Sequence, residues 1–279
     1  MSVRLERIAP YHYDATLAFL DAAPFENVFL SYLVTMMRDA GLERIIYVAL
    51  DHNNTIHGVC TFGRQVVFNG DDEAIDAFFS MAQRHPGEVM IVAPTHAVQR
   101  YWDRARPRHA PPRLTRERQW LMALDPTRLA QVRIPGVVGR LARPDEWEIV
   151  AANSAEMVTG ELELPKMPDY LADPFGANIR AGIERQREWV GEYNGQLVFF
   201  CNIGCWSAKT AQLQGIWTPP EFRGNGYATA AFSAICSDLL QRIPSLTLYV
   251  NDFNERAIAL YERVGFVRVG TFTTLVFAP

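Results

Sequence analysis

Two short segments of this chain place polar groups where they could act together. The first is Arg223-Gly224-Asn225-Gly226-Tyr227-Ala228, which follows a strand pattern halted by Pro219-Pro220, because proline donates nothing to a sheet ladder. Two glycines one residue apart let backbone N–H groups turn toward a common point. The free N–H groups opening a helix at Tyr227 point the same way, and the result is an anion cradle of pyrophosphate size. Arg223 adds a cation at its rim. Taken alone, the hexapeptide reads equally as an ordinary strand-to-helix turn. The second segment runs from Leu246 to Phe266. A buried strand ends at Asn251-Asp252, and a helix starts near Asn254. Asn254, Ala257, Ile258 and Tyr261 fall at i, i+3, i+4 and i+7 and share one helix face. Gly265-Phe266 then ends the helix and returns the chain to sheet.

These segments need a frame, and the surrounding pattern supplies one. Gly136 to Arg143 reads as a strand, Glu146 to Met157 as a helix, Thr159 to Phe175 as irregular, and Gly176 to Gln186 as a second helix. Strands over Glu188 to Tyr193, Gln196 to Trp206 and Thr210 to Trp217 follow, the first two joined by the hairpin turn Asn194-Gly195. After the glycine loop come a helix over Tyr227 to Arg242, a strand over Ser245 to Val250, a helix over Asn254 to Val264 and final strands from Phe266.

The first half repeats this order loosely. Helix is expected from Tyr11 to Gly41 with a break at Pro24, then strands over Ile45 to Leu50 and Ile56 to Phe68. A helix over Asp71 to His85, a strand over Glu88 to Ala93, a helix over Thr95 to Ala105, a loop over Arg106 to Arg116 and a strand over Gln119 to Leu124 complete it. Asp125 to Pro135, with two prolines, is the natural boundary.

A loop of the form Arg-Gly-x-Gly-x-Ala, then a strand, an Asn and a helix ending Leu-Tyr-x-x-x-Gly-Phe, resembles the GNAT superfamily of acetyltransferases. The match is strongest over residues 205–270 and extends to about residue 133 by element order. The resemblance implies an α/β (α+β) architecture of two tandem GNAT-like domains, each a mixed, mostly antiparallel sheet flanked by helices. Residues 133–279 would be the acetyltransferase domain, and residues 1–130 a degenerate copy without an Arg-Gly-x-Gly loop near Gly70.

The same resemblance implies that Arg223 to Ala228, with Thr229, bind the pyrophosphate of acetyl-CoA. The strand edge at Ile216, Trp217 and Thr218 would pair with the pantetheine amides, and a free backbone N–H near Ile216 would polarise the thioester carbonyl. Tyr261 matches the family's general acid for the departing thiolate; periodicity alone makes it a packed aromatic. Asn254 either bonds near the pantetheine or caps its helix. Ala257 lies on the same face as Asn254, and Asn251 at the strand end. For a base, all six histidines lie at or before His109, which leaves Glu156, Glu161, Glu163 and Glu192 in the second half. Glu161 ranks first and Glu156 second, against the reading that each is a solvated acid; water is a further proton relay.

Bulk composition narrows the remainder. The chain has 279 residues with 27 basic and 31 acidic side chains, so its charge gives no reason to expect nucleic acid. Seven arginines between Arg100 and Arg118 read as a solvated loop face or as a grip on RNA phosphates or an acidic partner. Cys201 and Cys205 would sit on one strand face about 13 Å apart, too far for a disulfide or a shared metal. With Cys60 and Cys236 they read as reduced thiols of a cytoplasmic protein. The charged start, Met1 to Pro10, is not a signal peptide, and no run is long enough to span a membrane.

The leading expectation is an N-acetyltransferase using acetyl-CoA as co-substrate, with no metal, acting on a small-molecule or protein amine. Alternatives are an aminoacyl-tRNA-dependent transferase and a non-catalytic acetyl-CoA sensor or scaffold. The first half would serve as a lid, a homodimer surface or a wall of the substrate pocket.

Overall fold

The computed structural model describes residues 3–82, 84, 85, 87–161, 171 and 174–277. The first half comprises β1 (Arg4–Arg7), α1 (Tyr13–Leu20), α2 (Pro24–Ala40), β2 (Ile45–Leu50), β3 (Ile56–Phe62), β4 (Gln65–Gly70), α3 (Asp72–Ala82), β5 (Met90–Pro94), α4 (Thr95–Ala105) and β6 (Leu114–Leu124). The second comprises β7 (Val137–Leu141), α5 (Trp147–Glu161), α6 (Pro174–Glu184), β8 (Glu188–Tyr193), β9 (Gln196–Trp206), β10 (Ala211–Trp217), α7 (Tyr227–Leu239), β11 (Leu246–Asn251), α8 (Glu255–Val264) and β12 (Val267–Val276).

Local chemistry sets most of these boundaries. Pro24 opens α2, where its missing N–H costs nothing, and Gly41 closes it in the left-handed region at φ 64°. Asn194 and Gly195, at φ 49° and 77°, make the tight turn between β8 and β9. Gly265 ends α8 at φ 111°, and a Cβ there would lie 2.1 Å from the Arg128 carbonyl oxygen, so only glycine fits.

The twelve strands among the described residues form one sheet, in the order β1-β2-β3-β4-β5-β12-β6-β11-β10-β9-β8-β7. Neighbours are antiparallel except β4 with β5 and β10 with β11. The two halves exchange strands at the centre. β12, the last strand, pairs with β5 of the first half, and β6 of the first half pairs with β11 of the second. β6 and β12 pair with each other along their lengths. Helices α3 and α4 bury Phe68, Phe78 and Tyr101, whereas α7 and α8 bury Phe199, Phe232 and Phe266.

Several boundaries differ from the sequence reading. Ile56 to Phe68 is two strands, because Gly63 at φ 142° lets the chain reverse. Arg4–Arg7 forms an edge strand paired with β2. β6 begins at Leu114 inside the expected loop, since pairing with β12 satisfies its backbone. The ends of the expected irregular stretch are helical, α5 reaching Glu161 and α6 starting at Pro174. Residues 162–170, Glu163 among them, lie outside the described residues.

The cysteine geometry also needs correction. Leu213 faces Ile203 while Gln212 faces Cys205, so Gly204 is an extra residue in β9 and turns Cys205 to the opposite face from Cys201. All four thiols are free and buried.

Candidate active site

β10 and β11 pair only at Ala211 with Leu246 and Gln212 with Thr247, then part. Beyond Gln212, the edge of β10 facing β11 has no ladder partner among the described residues. Further along, Gln214 faces Asn202 and Trp217 faces Phe200, so Gly215-Ile216 oppose Cys201 alone. Gly215 adopts φ 62°, and this bulge bends β10 away from β11.

The resulting wedge opens into a cavity of about 280 Å³. Gln214, Gly215 and Ile216 line it from β10, Asn251 from the end of β11, Asn254 from the cap of α8, and Ala257 and Tyr261 from α8 itself. Glu161, the last residue of α5, also lines it. Tyr261 is buried, and burial pushes its phenol pKa up, with the nearby charge of Glu161 adding to the effect. The Asn251 Oδ1 is buried and accepts no hydrogen bond among the described residues, a deficit that a ligand donor would relieve. Asn254 accepts from the Ala257 N–H at 3.2 Å, so it caps α8 while also facing the cavity.

The glycine loop continues from β10. Gly224 and Gly226 sit in the left-handed region at φ 81° and 76°. None of the N–H groups of Gly224 to Thr229 donates to an acceptor among the described residues, so an unpaired row of donors opens α7. Arg223 is fixed at the rim. Its Nε donates to the Thr218 carbonyl at 2.9 Å, and its guanidinium lies 4.7 Å from the centre of the Trp217 ring. Tyr227 stacks on Tyr193 at 4.4 Å, so at that position only the backbone faces the cradle. Thr229 is buried in the first turn of α7.

Six of the sequence candidates therefore meet in one cavity: Glu161, Ile216, Asn251, Asn254, Ala257 and Tyr261. Trp217, Thr218 and Arg223 to Ala228 form the approach beyond it. Glu156 is exposed on α5 and does not reach the cavity. Glu192 is bound to Arg140, with Nη2 to Oε2 at 2.5 Å.

The sequence reading missed the opposite wall. Gln65 of β4, Met90 and Val92 of β5, and Arg116 and Gln119 of β6 line the same cavity. Strand exchange brings them there, and no motif in the sequence announces it. Gln212 and Gln214 also line it; two glutamines alternating within an apolar strand were a readable signal. Four of the arginines between Arg100 and Arg118 go to different places. Arg100 and Arg104 bind Asp76, Arg116 enters the cavity, and Arg118 pairs with Asp252.

The first half has no equivalent cradle where α3 follows β4. The Asp71 Oδ1 accepts from the Ala74 N–H at 3.0 Å, and Asp72 and Glu73 fill the first turn with negative charge. Asp71 also meets His57 at 2.7 Å. A pyrophosphate would be repelled there. Among the described residues no cluster of His, Cys, Asp and Glu could hold a metal, and no helix is long and apolar enough to cross a membrane.

Similar sequences and folds are found among known acetyltransferases. Residues 155–266 match the model of the acetyltransferase (GNAT) family. A mycothiol acetyltransferase from Acidimicrobium ferrooxidans is 36% identical over 83 residues, which is 28% of this chain and 27% of that protein. A GCN5-related N-acetyltransferase from Kribbella flavida shares the fold at TM-score 0.61 and 16% identity, over 92% of this chain and 96% of its own. A tandem GNAT protein from the clavulanic acid biosynthesis pathway shares it at TM-score 0.58 and 12% identity, over 100% and 99%. Over residues 155–266 the chain is thus similar to the acetyltransferase (GNAT) family, and over its whole length it shares the fold of GNAT proteins.

Proposed function

We propose that this protein transfers acetyl from acetyl-CoA directly to an amine held in the cavity between β10, β11 and β6. The observation that carries the reading is the conjunction of unpaired N–H groups opening α7 with a phenol buried in the adjoining wedge. The residues fit the cofactor on two counts: the donor row suits a pyrophosphate, and the Asn251 oxygen awaits an amide donor.

When bound, acetyl-CoA supplies a thioester carbonyl carbon for the amine to attack. The open edge of β10 at Ile216 holds the pantetheine amides by strand-like pairing, and a free N–H at the bulge stabilises the carbonyl oxygen as it gains charge. Tyr261 donates its phenolic proton to the departing sulfur. Glu161, on the same cavity, receives the proton lost by the amine, directly or through water. Residues 1–130 act as a partner domain that closes the acceptor side, and residues 133–279 as the acetyltransferase domain.

Tyr261→Phe tests the reading. The kcat for amine-dependent CoA release should fall by about 100-fold or more, with the Kd for acetyl-CoA changed by less than threefold. An unaltered kcat would remove the acid role. Acetyl-CoA binding with no turnover on any amine in a broad panel would favour a binding module instead.

A further inference from the structure

We infer that the acceptor amine carries a carboxylate, and that Arg116 is the residue that selects it. The inference deepens the acetyl-transfer reading and rests on it.

The first support is a backbone irregularity in β6. Where β6 pairs with β12, Phe272 faces Gln119 and Thr274 faces Arg116, so Glu117 and Arg118 together oppose Thr273. One extra residue has been inserted in β6. In a regular strand Arg116 and Gln119, three apart, would point to opposite faces. The bulge brings both to the face shared by Phe272 and Thr274, and both line the cavity. Neighbouring bonds hold the bulge in place: the Thr273 hydroxyl donates to the Glu117 carbonyl at 2.7 Å, and the Asp252 N–H donates to the Arg118 carbonyl at 3.1 Å. Bulges beside active sites commonly re-aim a side chain, and this one turns a guanidinium inward.

The second support is charge. Arg116 is the single cationic side chain lining the cavity among the described residues. Its Nη2 donates to the Glu161 backbone carbonyl at 3.1 Å, while the Glu161 carboxylate stands back at 3.9 Å. Arginine has five N–H donors in a planar fork, and both of these contacts are made by Nη2. The Thr274 hydroxyl donates to the Gln119 Oε1 at 2.6 Å, so the neighbouring amide oxygen is already engaged and does not compete for the guanidinium. A planar, bidentate carboxylate is the group that such a fork accepts best.

The third support is spacing. Glu161 and Arg116 stand side by side, so an ammonium facing Glu161 and a carboxylate facing Arg116 must lie within a few bonds of each other. The cavity of about 280 Å³ also takes the acetyl end of the cofactor on this reading, which leaves room for a compact acceptor only. The expected acceptor is a small aminocarboxylic acid.

The test is steady-state CoA release by the full chain, using aminocarboxylic acids, their primary amides and their methyl esters as paired acceptors. The wild type should favour the acids over their neutral partners by 10- to 100-fold in kcat/KM, the range for a charged hydrogen bond. Arg116→Met should reduce that preference to within about threefold, acting through KM for the acid. Arg116→Lys should recover part of it and also controls for folding. Equal use of acids and amides by the wild type, or a preference unchanged in Arg116→Met, would overturn the inference while leaving acetyl transfer standing. If acetyl-CoA binds and no amine of either kind is acetylated, the transfer reading fails and takes this inference with it.

Discussion

Tyr261 and Glu161 come from opposite ends of the second half and meet across the wedge between β10 and β11. Because burial raises the Tyr261 pKa, the phenol stays protonated throughout the neutral range and remains a donor. The kcat of the wild type should therefore show no loss between pH 7 and pH 9 that disappears in Tyr261→Phe; such a limb in a pH–rate profile would contradict the assignment. The two carboxylates that the sequence ranked together separate cleanly in the structure. Glu161→Gln should lower kcat by roughly 100-fold, and Glu156→Gln, exposed and outside the cavity, should stay within twofold. Equal losses in the two variants would argue for a general electrostatic effect. Tyr261 stands out in the sequence because it lies inside a recognisable motif, whereas Glu161 falls in a stretch read as irregular and reaches the cavity because α5 runs on to it. Arg116 was not readable: its direction depends on a bulge set by β12, about 150 residues further along the chain.

At the scale of elements, the loop before α7 depends on backbone conformation. Gly226 caps α7 at φ 76°, and a Cβ there would lie 3.1 Å from the Ile134 Cδ1. Gly226→Ala should cost about 1 kcal/mol in folding stability from the left-handed conformation and weaken acetyl-CoA binding by a larger relative factor. Thermal melting with and without ligand would separate the two effects. A second element carries hidden charge. Glu188 opens β8, is buried, and has its pKa pushed up to about 7 by burial, with Arg187 opposing. A carboxyl whose pKa is higher folded than unfolded binds more protons in the folded state. Its contribution is therefore favourable below the unfolded pKa near 4.5 and is lost as pH rises toward 7. Glu188→Gln should raise the melting temperature at pH 8 and have little effect at pH 4.5, a difference worth up to about 3 kcal/mol. Equal melting shifts at both pH values would contradict the burial argument. Helices with clear caps were legible to within a few residues, as α2 and α8 show. The β3–β4 turn at Gly63 and the start of β6 were not, because pairing with distant strands decided them.

For the whole molecule, the covalent boundary at Asp125 to Pro135 is not a boundary of the sheet. β6 lies between β11 and β12, so the second half cannot complete its own sheet without a strand from the first. A fragment starting at residue 133 would expose the edges of β11 and β12 and lose the Arg116 and Gln119 wall of the cavity. It should be insoluble or unfolded when made alone, and residues 1–132 supplied as a second chain should restore solubility. A well-folded, fully active fragment would show that the exchanged strand is dispensable. Element order in the sequence led to the expectation of two similar halves; that they interlock was invisible, since strand exchange leaves no periodic trace. The two halves also differ at their helix starts. The second half presents bare N–H groups at Gly224 to Thr229, whereas the first fills the matching helix start with Asp71, Asp72 and Glu73. The most direct test is a calorimetric titration of the full chain with acetyl-CoA, repeated on an Arg223→Glu/Gly226→Val variant whose melting curve shows that it folds. One site per chain, weakened by about 30-fold or more in the variant, is the expected result. Two sites per chain, or affinity untouched by the loop substitutions, would contradict the assignment of the cofactor to this cradle.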